Sequence, residues 1–332
     1  MSNQTQSDAL QLPLFTTESN GEAIRTPPRE LPVAGDASVE SAIDTFRKYM
    51  QERGFAENTQ EAFRRDLVIL SDYLGPAATI DEVGTTTLNA FLKWMDSGRG
   101  IPCSPKTMER RITTLKVFFG WLAEEGVLPR DVAAPLIHRA VSAPLPTILS
   151  AGDIAALMET CQNLRQGTDD SAPDARPLLL LSLVLSTGIK KSECSNIHMN
   201  HLDLADPDLP AVWIRYRNAQ RRHKERRIRL PSAWPEVLDE YLQQYPTEQK
   251  LFRWTPRNLE YVLTGIAEKA EVQRVTFEIL RWTCAVHDYV NGMDANALRR
   301  KMGLSQISWY EAQNRLEMLS RMPAGRTLVK PA

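Results

Sequence analysis

Residues 178–197 read LLLLSLVLSTGIKKSECSNI, and they predict the core of the second half of the chain. The apolar run Leu178–Leu185 is interrupted only by Ser182. A membrane span needs about 20 apolar residues, so a run this short predicts a helix buried inside a protein. Thr187 and Gly188 follow it, and glycine is favoured just beyond a helix C-terminus. We therefore expect a buried helix that ends at this point.

A strongly basic stretch comes next, RYRNAQRRHKERRIR at residues 215–229. Its eight Arg and Lys residues against one Glu give a local charge of +7, whereas the whole chain carries −1. Strands are predicted on either side, at Ala211–Tyr216 and Arg226–Leu230, which together indicate a β-hairpin. Cations that neutralise phosphates release counterions, so the stretch predicts binding to double-stranded DNA. A solvated hairpin without a partner is the alternative. The cations assigned to DNA are Arg215, Arg217, Arg221, Arg222 and Lys224.

The first half of the chain predicts a small all-helical domain over about residues 37–126. Apolar residues recur at spacings of three and four in four segments joined by short turns, which is typical of a helix bundle. The second helix is predicted to begin at Asn58, with Glu61 completing a capping box. The fourth is predicted to begin after Ser104, with Pro105 in the first helical position.

A weaker basic face lies on this fourth helix. It consists of Lys106, Arg110 and Lys116, with Arg111 beside it. We also assign Lys106, Arg110 and Arg111 to DNA contacts. Neighbouring acids such as Glu109 leave this second assignment open against an ordinary solvated face.

The remaining segments are assigned from composition. Residues 1–36 are rich in Ser, Thr, Gln and Pro without an apolar period, and we expect a disordered tail. Residues 127–148 contain four prolines, which favour extended chain and predict an interdomain linker. A larger, mainly helical domain with a small sheet is expected over 149–322, followed by a tail at 323–332.

The overall composition excludes several classes of protein. With 42% hydrophobic and 24% charged residues, the chain is neither fully disordered nor collagen-like. Its four cysteines form no CxxC pair, so we expect free thiols rather than disulfides or a zinc site. No signal segment or membrane span is indicated, and we expect a soluble cytoplasmic protein.

Four segments carry a family resemblance when they are taken in order. They are SPKTMERRITTLKVFFGWLAEEGVLPRDVAAPL (104–136), LLLLSLVLSTGIKKSECSNI (178–197), RRHKERRIRLP (221–231) and TFEILRWTCAVHDYVNGMDANALRRKMGLSQIS (276–308). Together they resemble the tyrosine recombinase (phage integrase, Xer-like) family over about residues 37–320. The resemblance implies a mainly α protein. It would have an N-terminal four-helix core-binding (SAM-like) domain and a larger α+β tyrosine-recombinase-like domain with a small β-sheet.

The resemblance also implies a reaction. In this family a tyrosine attacks a DNA phosphodiester and forms a 3′-phosphotyrosine, which conserves the bond energy. Two arginines and histidine-type donors stabilise the charge on the phosphate, and a hairpin lysine protonates the leaving oxygen. Such chemistry needs no cofactor and no metal.

Two of the family positions keep a positive charge here but change chemistry. The first arginine is Lys190, which lacks the planar fork that grips two phosphate oxygens. The hairpin lysine corresponds to Arg221, which binds phosphate but does not give up a proton near neutral pH.

The remaining four positions lie in the C-terminal helices. The His-x-x-Arg motif reads Glu278 to Arg281, so the arginine is kept and an acid replaces the histidine. We assign Arg281, together with Lys190, to DNA contacts. The next donor position is Leu304, which has no donor, and the nucleophile position is Gln313. Gln313 has no group able to form the covalent link.

These changes predict an accessory, DNA-binding pseudoenzyme rather than a strand-cleaving recombinase. One alternative is an active recombinase that uses Tyr310 as a shifted nucleophile; another is a protein–protein scaffold that has lost DNA binding. Expected partners are double-stranded DNA and either an active recombinase or a second copy, with no membrane and no small-molecule cofactor. The expected docking helix contains Leu316, Met318, Leu319 and Met322.

Overall fold

The computed structural model describes residues 33–101, 103–137, 144–167 and 171–321. The chain divides between Ala143 and Pro144 into two compact units. Both units are mainly helical, and a small antiparallel sheet lies in the second. The predicted fold class is therefore confirmed.

The first unit contains the four helices that the apolar spacing predicts. They are α1 (Val39–Glu52), α2 (Glu57–Leu74), α3 (Thr85–Lys93, continued by a π-helical turn over Trp94–Gly98) and α4 (Pro105–Glu124). Ser104 caps α4 as predicted, because its hydroxyl oxygen accepts a hydrogen bond from the backbone N–H of Thr107 at 3.3 Å. The apolar stripes of the four helices meet in one core.

The predicted capping box at the start of α2 is wrong. Ala56 occupies the cap position and makes no side-chain hydrogen bond there. The carboxylate of Glu61 instead accepts hydrogen bonds from Arg64 at 3.1 Å and Arg65 at 2.7 Å. Two arginines on the following turn therefore compete successfully for the acid that would have reached back to Asn58.

The predicted linker is also partly wrong. Leu128, Val132 and Leu136 are buried in the core of the first unit. The hydroxyl of Thr85 donates a hydrogen bond to the carbonyl of Val132 at 2.7 Å, which holds this segment against α3. Prolines end helices, but they do not stop the apolar residues between them from packing. The predicted linker at 127–148 thus folds with the first unit over much of its length.

Most of the two predicted tails lies outside the described residues, namely residues 1–32 and 323–332. Val33 is only 9% exposed and packs on the core of the first unit. The sequence pattern predicts that the folded part of this unit begins at residue 37. In the structure it begins earlier.

The second unit contains eight helices and three strands among its described residues. The first four helices and the sheet are α5 (Ala151–Gln166), α6 (Arg176–Thr187), α7 (Lys191–Cys194), β1 (Leu202–Asp203), β2 (Ala211–Ile214), β3 (Arg226–Arg229) and α8 (Trp234–Gln244). The rest are α9 (Pro256–Lys269), α10 (Phe277–Val290), α11 (Ala295–Lys301) and α12 (Gln306–Ser320).

The helix α6 is buried, as its leucine run predicts. Leu179, Leu180 and Leu181 have no exposed surface. Gly188 ends the helix in the left-handed conformation, with φ of 61°. A Cβ atom at this position would lie 3.3 Å from the sulfur of Cys284, so both the backbone and the packing favour glycine.

The predicted hairpin is confirmed, with shorter strands. β2 and β3 pair antiparallel, with Ile214 opposite Arg226 and Ala211 opposite Arg229. β1, which the sequence pattern did not predict, adds to the other edge of β2. A short 3₁₀ turn over Ala219–Lys224 leads into β3. Within the described ranges, no helix combines the length and apolar character that a bilayer crossing requires.

Candidate functional site

One groove of the second unit, about 590 Å³ in volume, collects most of the predicted site. Four of the six family positions line it: Lys190, Glu278, Arg281 and Leu304. Arg221 and Gln313 are not among the described residues that line it. The walls come from the turn between α6 and α7, the start of α10, the residues after α11 and one face of α12. Hereafter this cavity is the groove.

Arg281, which the resemblance places at a family arginine position, is largely buried. Its two terminal nitrogens donate to the backbone carbonyls of Gly188, after α6, and Met302, after α11. Burial lowers the pKa of this guanidinium. Each terminal nitrogen carries a second N–H, so these contacts do not exhaust its donors. Arg281 therefore joins two walls of the groove while still lining it.

Lys190 is half-buried and belongs to a cluster of cations. Burial lowers the pKa of its ammonium group; Glu193 opposes this effect, while Arg281, Lys224 and Arg226 add to it. In the part of the chain that is described, no carboxylate lies within ion-pair distance of the Lys190 ammonium. This corner of the groove therefore has a surplus of positive charge.

Glu193, which lies in α7 three residues after Lys190, is the buried acid beneath this corner of the groove. It is 5% exposed, and its two oxygens accept hydrogen bonds from the guanidinium of Arg226 at 3.1 and 2.9 Å. It also accepts from the hydroxyl of Tyr216 and from the backbone N–H of Lys190. Burial alone would raise the pKa of Glu193, but the bonds and charge of Arg226 hold it at about 2. Glu193 is therefore a fixed anion.

In the rest of the groove, most of the acidic side chains form ion pairs. Lys191 pairs with Glu260 at 2.7 Å, and Arg315 pairs with Glu311 at 2.5 Å. Glu278 lies exposed in the first turn of α10, and among the described residues its carboxylate has no ion-pair partner. A phosphate entering the groove would thus meet a cluster of cations and one unpaired acid.

The face of α12 that lines the groove carries Ser308, Glu311, Ala312 and Arg315. Successive residues of an α-helix turn by about 100°, so Tyr310 lies about 160° and Gln313 about 140° round the helix from Ser308. Tyr310 is 75% exposed. Neither the residue at the nucleophile position nor the nearby tyrosine faces the groove.

The basic hairpin, residues 215–229, presents fewer free cations than its charge of +7 suggests. Arg226 is buried against Glu193, and Arg227 pairs with Asp203 of β1 at 2.9 Å. The five cations assigned to DNA have no carboxylate partner within the described ranges; they are Arg215, Arg217, Arg221, Arg222 and Lys224. All are exposed except Lys224, which is half-buried.

The second predicted basic face, on α4, is only partly available. Arg111 is 7% exposed and its Nε lies 3.3 Å from the carboxylate of Asp66, which is itself buried. Arg111 is therefore not a surface contact, because it compensates an internal acid. Arg110 also pairs with Asp66, at 2.7 Å, but 44% of its side chain stays exposed. Lys106 is exposed.

Sequence patterns missed several residues of the site. Arg226 had a usable signal: it alternates with Ile228 along β3, and side chains two residues apart share a face of a strand, here the buried one. Tyr216 contacts Glu193 across 23 positions of sequence, and Arg274 and Arg315 reach the groove from different segments. No local pattern indicates those three contacts, because they depend on tertiary packing.

Comparison with known proteins identifies the class of this architecture. The description "Phage integrase, N-terminal SAM-like domain" matches residues 43–126, and "Phage integrase family" matches residues 147–315. The two matches fall on the helical first unit and on the unit that holds the groove. The chain belongs to the phage integrase family.

Curated relatives extend over most of the chain. It is 26% identical over 285 residues to tyrosine recombinase XerD of Listeria innocua, which covers 80% of this chain and 91% of the relative. It is 26% identical over 288 residues to tyrosine recombinase XerC of Oceanobacillus iheyensis, covering 81% and 90%. The resemblance to Xer-type recombinases is therefore confirmed.

Solved structures share the fold. A lambda integrase dimer bound to a COC′ core site aligns with a TM-score of 0.65 and 15% identity, covering 88% of this chain and 81% of the integrase. The recombinase XerH bound to its palindromic difH substrate in a post-cleavage complex aligns with a TM-score of 0.64 and 16% identity, covering 86% and 82%. At this level of identity the likeness concerns the fold alone.

Proposed function

We propose that this chain binds double-stranded DNA, does not cleave it, and acts as an accessory subunit in DNA recombination or integration. The observation that carries the proposal is the composition of the groove. Among the described residues, its lining includes the cations Lys190 and Arg281, an acid without an ion-pair partner at Glu278, and no tyrosine. Attraction for a phosphate is thus retained in part, whereas the group that would form the covalent bond is missing.

Binding is supported by the basic hairpin. Five cations lie within ten residues and have no carboxylate partner in the described ranges of the chain. Phosphates that they neutralise release counterions whatever the base sequence. A protein of the same fold, lambda integrase (residues 75–356), has been solved bound to DNA. The two observations favour a duplex as the ligand.

The proposed absence of DNA cleavage is supported by the loss of several independent catalytic side-chain groups. Gln313 has no hydroxyl, Leu304 has no donor, and Glu278 adds a negative charge where the family has a histidine. Removing one donor of this electrostatic kind typically costs about 10²–10³ in rate. Losses of this size in combination leave no useful cleavage, even when they are not fully additive.

The accessory role is supported by the surface of α12. Leu316 and Leu319, expected in the docking face, are buried within their own unit, and Met322 lies outside the described residues. Ile307, Tyr310 and Met318 are 89%, 75% and 56% exposed and share one side of the helix. We propose this side as the surface that meets an active recombinase; self-association through it is the competing outcome.

Titration of a labelled duplex at several salt concentrations tests the binding claim. We expect the logarithm of the association constant to fall linearly with the logarithm of the salt concentration. With five phosphate contacts the slope would be about −4.5. Absence of binding even at low salt would favour the protein–protein scaffold instead.

A further inference from the structure

Both ends of the hairpin loop meet on one buried carboxylate. Tyr216 follows β2 and donates its hydroxyl to Glu193, and Arg226 opens β3 and donates two nitrogens to the same group. Four of the five cations assigned to DNA lie in the loop between these two anchors: Arg217, Arg221, Arg222 and Lys224. The position of the loop is therefore set by contacts at its base.

The guanidinium of Arg226 joins three segments of the chain. Its Nε donates to the carbonyl of Lys301, at the end of α11, at 2.7 Å. Its Nη1 donates to the carbonyl of Lys224 in the hairpin at 3.1 Å, and both terminal nitrogens bind Glu193. These contacts link the hairpin to α7 and to the chain that leads into α12.

The same carboxylate also fixes the groove. Glu193 accepts the backbone N–H of Lys190 at 2.9 Å, which sets the position from which the Lys190 side chain enters the groove. The hairpin and the groove are also close enough to interact electrostatically, because Lys224 and Arg226 help to lower the pKa of Lys190. One ion pair therefore orients cations on two separate surfaces.

The surrounding structure accommodates this pair at some cost. Gly303 adopts φ of 59°, and a Cβ there would lie 2.7 Å from Nη1 of Arg226, so a side chain at this position would force the guanidinium to shift. Buried ion pairs often add little net stability, because desolvation offsets their attraction. We therefore expect the Glu193–Arg226 pair to fix the positions of the hairpin and the groove rather than to raise the free energy of unfolding.

We propose that Glu193 and Arg226 form a clasp that holds the basic hairpin in register with Lys190, so that cations of both surfaces contact one duplex at the same time. This inference rests on the proposed DNA binding and adds how the interface is positioned. Arg226 acts here through other residues and is a positioning residue.

The test measures coupling between the two surfaces. Duplex affinity is compared for Arg222→Ala, Lys190→Ala and the double variant, first with Arg226 intact and then in an Arg226→Lys background. The effects of two substitutions on affinity multiply when the residues act independently, and they depart from this product when the residues share one network. With Arg226 intact, the loss of duplex affinity in the double variant should differ from the product of the two single-variant losses by about threefold or more. This ratio is the coupling factor. In the Arg226→Lys background this factor should fall close to one.

Two arginines of the same unit provide matched controls. Arg227 is the next residue of β3 and pairs with Asp203 near the surface. Arg165 pairs with Glu236 and Glu240, which join α5 to α8. Arg227→Gln and Arg165→Gln each remove an ion pair but leave the clasp, and we expect both to preserve the coupling factor. A purely structural role of Arg226 predicts the same preserved factor for Arg226→Lys.

A milder variant keeps the test decisive if Arg226→Lys does not fold. Tyr216→Phe removes one hydroxyl donor from Glu193 and should reduce the coupling factor without abolishing binding. A factor that persists in every folded clasp variant overturns the clasp and leaves DNA binding intact. A wild-type protein that binds no duplex overturns the proposed function, and the clasp with it.

Discussion

The basic hairpin and the groove belong to the same unit, yet the proposed function assigns them different capacities, DNA binding to the hairpin and no strand cleavage to the groove. The five hairpin cations assigned to DNA have no carboxylate partner in the described part of the chain. The groove holds Arg281 together with an acid at Glu278, and the described residues of its lining include no tyrosine. Binding a polyanion depends on local charge and tolerates the exchange of Lys and Arg. Forming a covalent bond needs particular atoms at fixed positions, so it can be lost while binding remains.

Substitutions in the basic hairpin give the largest expected effect on duplex binding. Replacing Arg221, Arg222 and Lys224 by Ala removes three of its free cations. We expect the salt slope of duplex binding to flatten by about 2.7, and affinity near 0.1 M salt to fall on the order of a hundredfold. Fluorescence anisotropy with a labelled duplex measures both quantities. Arg227→Ala, which removes an already paired cation of the same hairpin, should change little. An unchanged slope in the triple variant would remove the hairpin from the interface.

In the first unit, Asp66 pairs with one buried arginine, Arg111, and one half-exposed arginine, Arg110. Substituting each in turn compares the contribution of a buried cation to stability with that of an exposed one. Arg111→Met leaves a buried acid with less compensation, and we expect it to lower the free energy of unfolding of this unit by about 3 kcal/mol. Arg110→Met removes a half-exposed partner and should cost about 1 kcal/mol or less. Denaturant unfolding of the two variants measures the difference. Equal costs would mean that Arg111 is not the main internal partner of Asp66.

The acid in the groove gives a smaller effect with the opposite sign. Glu278→Gln should tighten duplex binding by about fivefold, because a unit charge about 4 Å from a phosphate costs about 1 kcal/mol in a solvated site. Glu311→Gln is the matched control, since Glu311 lines the same groove but is paired with Arg315. If the two variants bind alike, the phosphate does not approach Glu278.

Local sequence patterns predicted the elements well where one signal dominates. The leucine run of α6, the Ser104 cap of α4 and the paired strands around the basic stretch all appear in the structure. The α2 cap was wrong because Arg64 and Arg65 draw Glu61 away from the helix end. Such competition between neighbouring side chains cannot be resolved from spacing alone.

The candidate site was less predictable than the fold, because net charge counts cations without saying where they point. Arg111 and Arg226 look like their basic neighbours in the sequence, yet each neutralises a buried acid from a distant segment. For Arg226, strand alternation with Ile228 gave a usable warning. For Arg111, the decisive fact is its contact with Asp66, 45 positions away, which no local pattern contains.

The central claim is that the chain binds duplex DNA without cutting it, and a nicked suicide substrate tests this most directly. Such a substrate traps even slow cleavage, because the released strand end diffuses away and the covalent adduct accumulates. We expect no adduct on a denaturing gel, either for the natural chain or for Gln313→Tyr, since Glu278 and Leu304 still alter the phosphate site and position 313 does not face the groove. An adduct that disappears in Tyr310→Phe would contradict the account and establish an active recombinase with a shifted nucleophile.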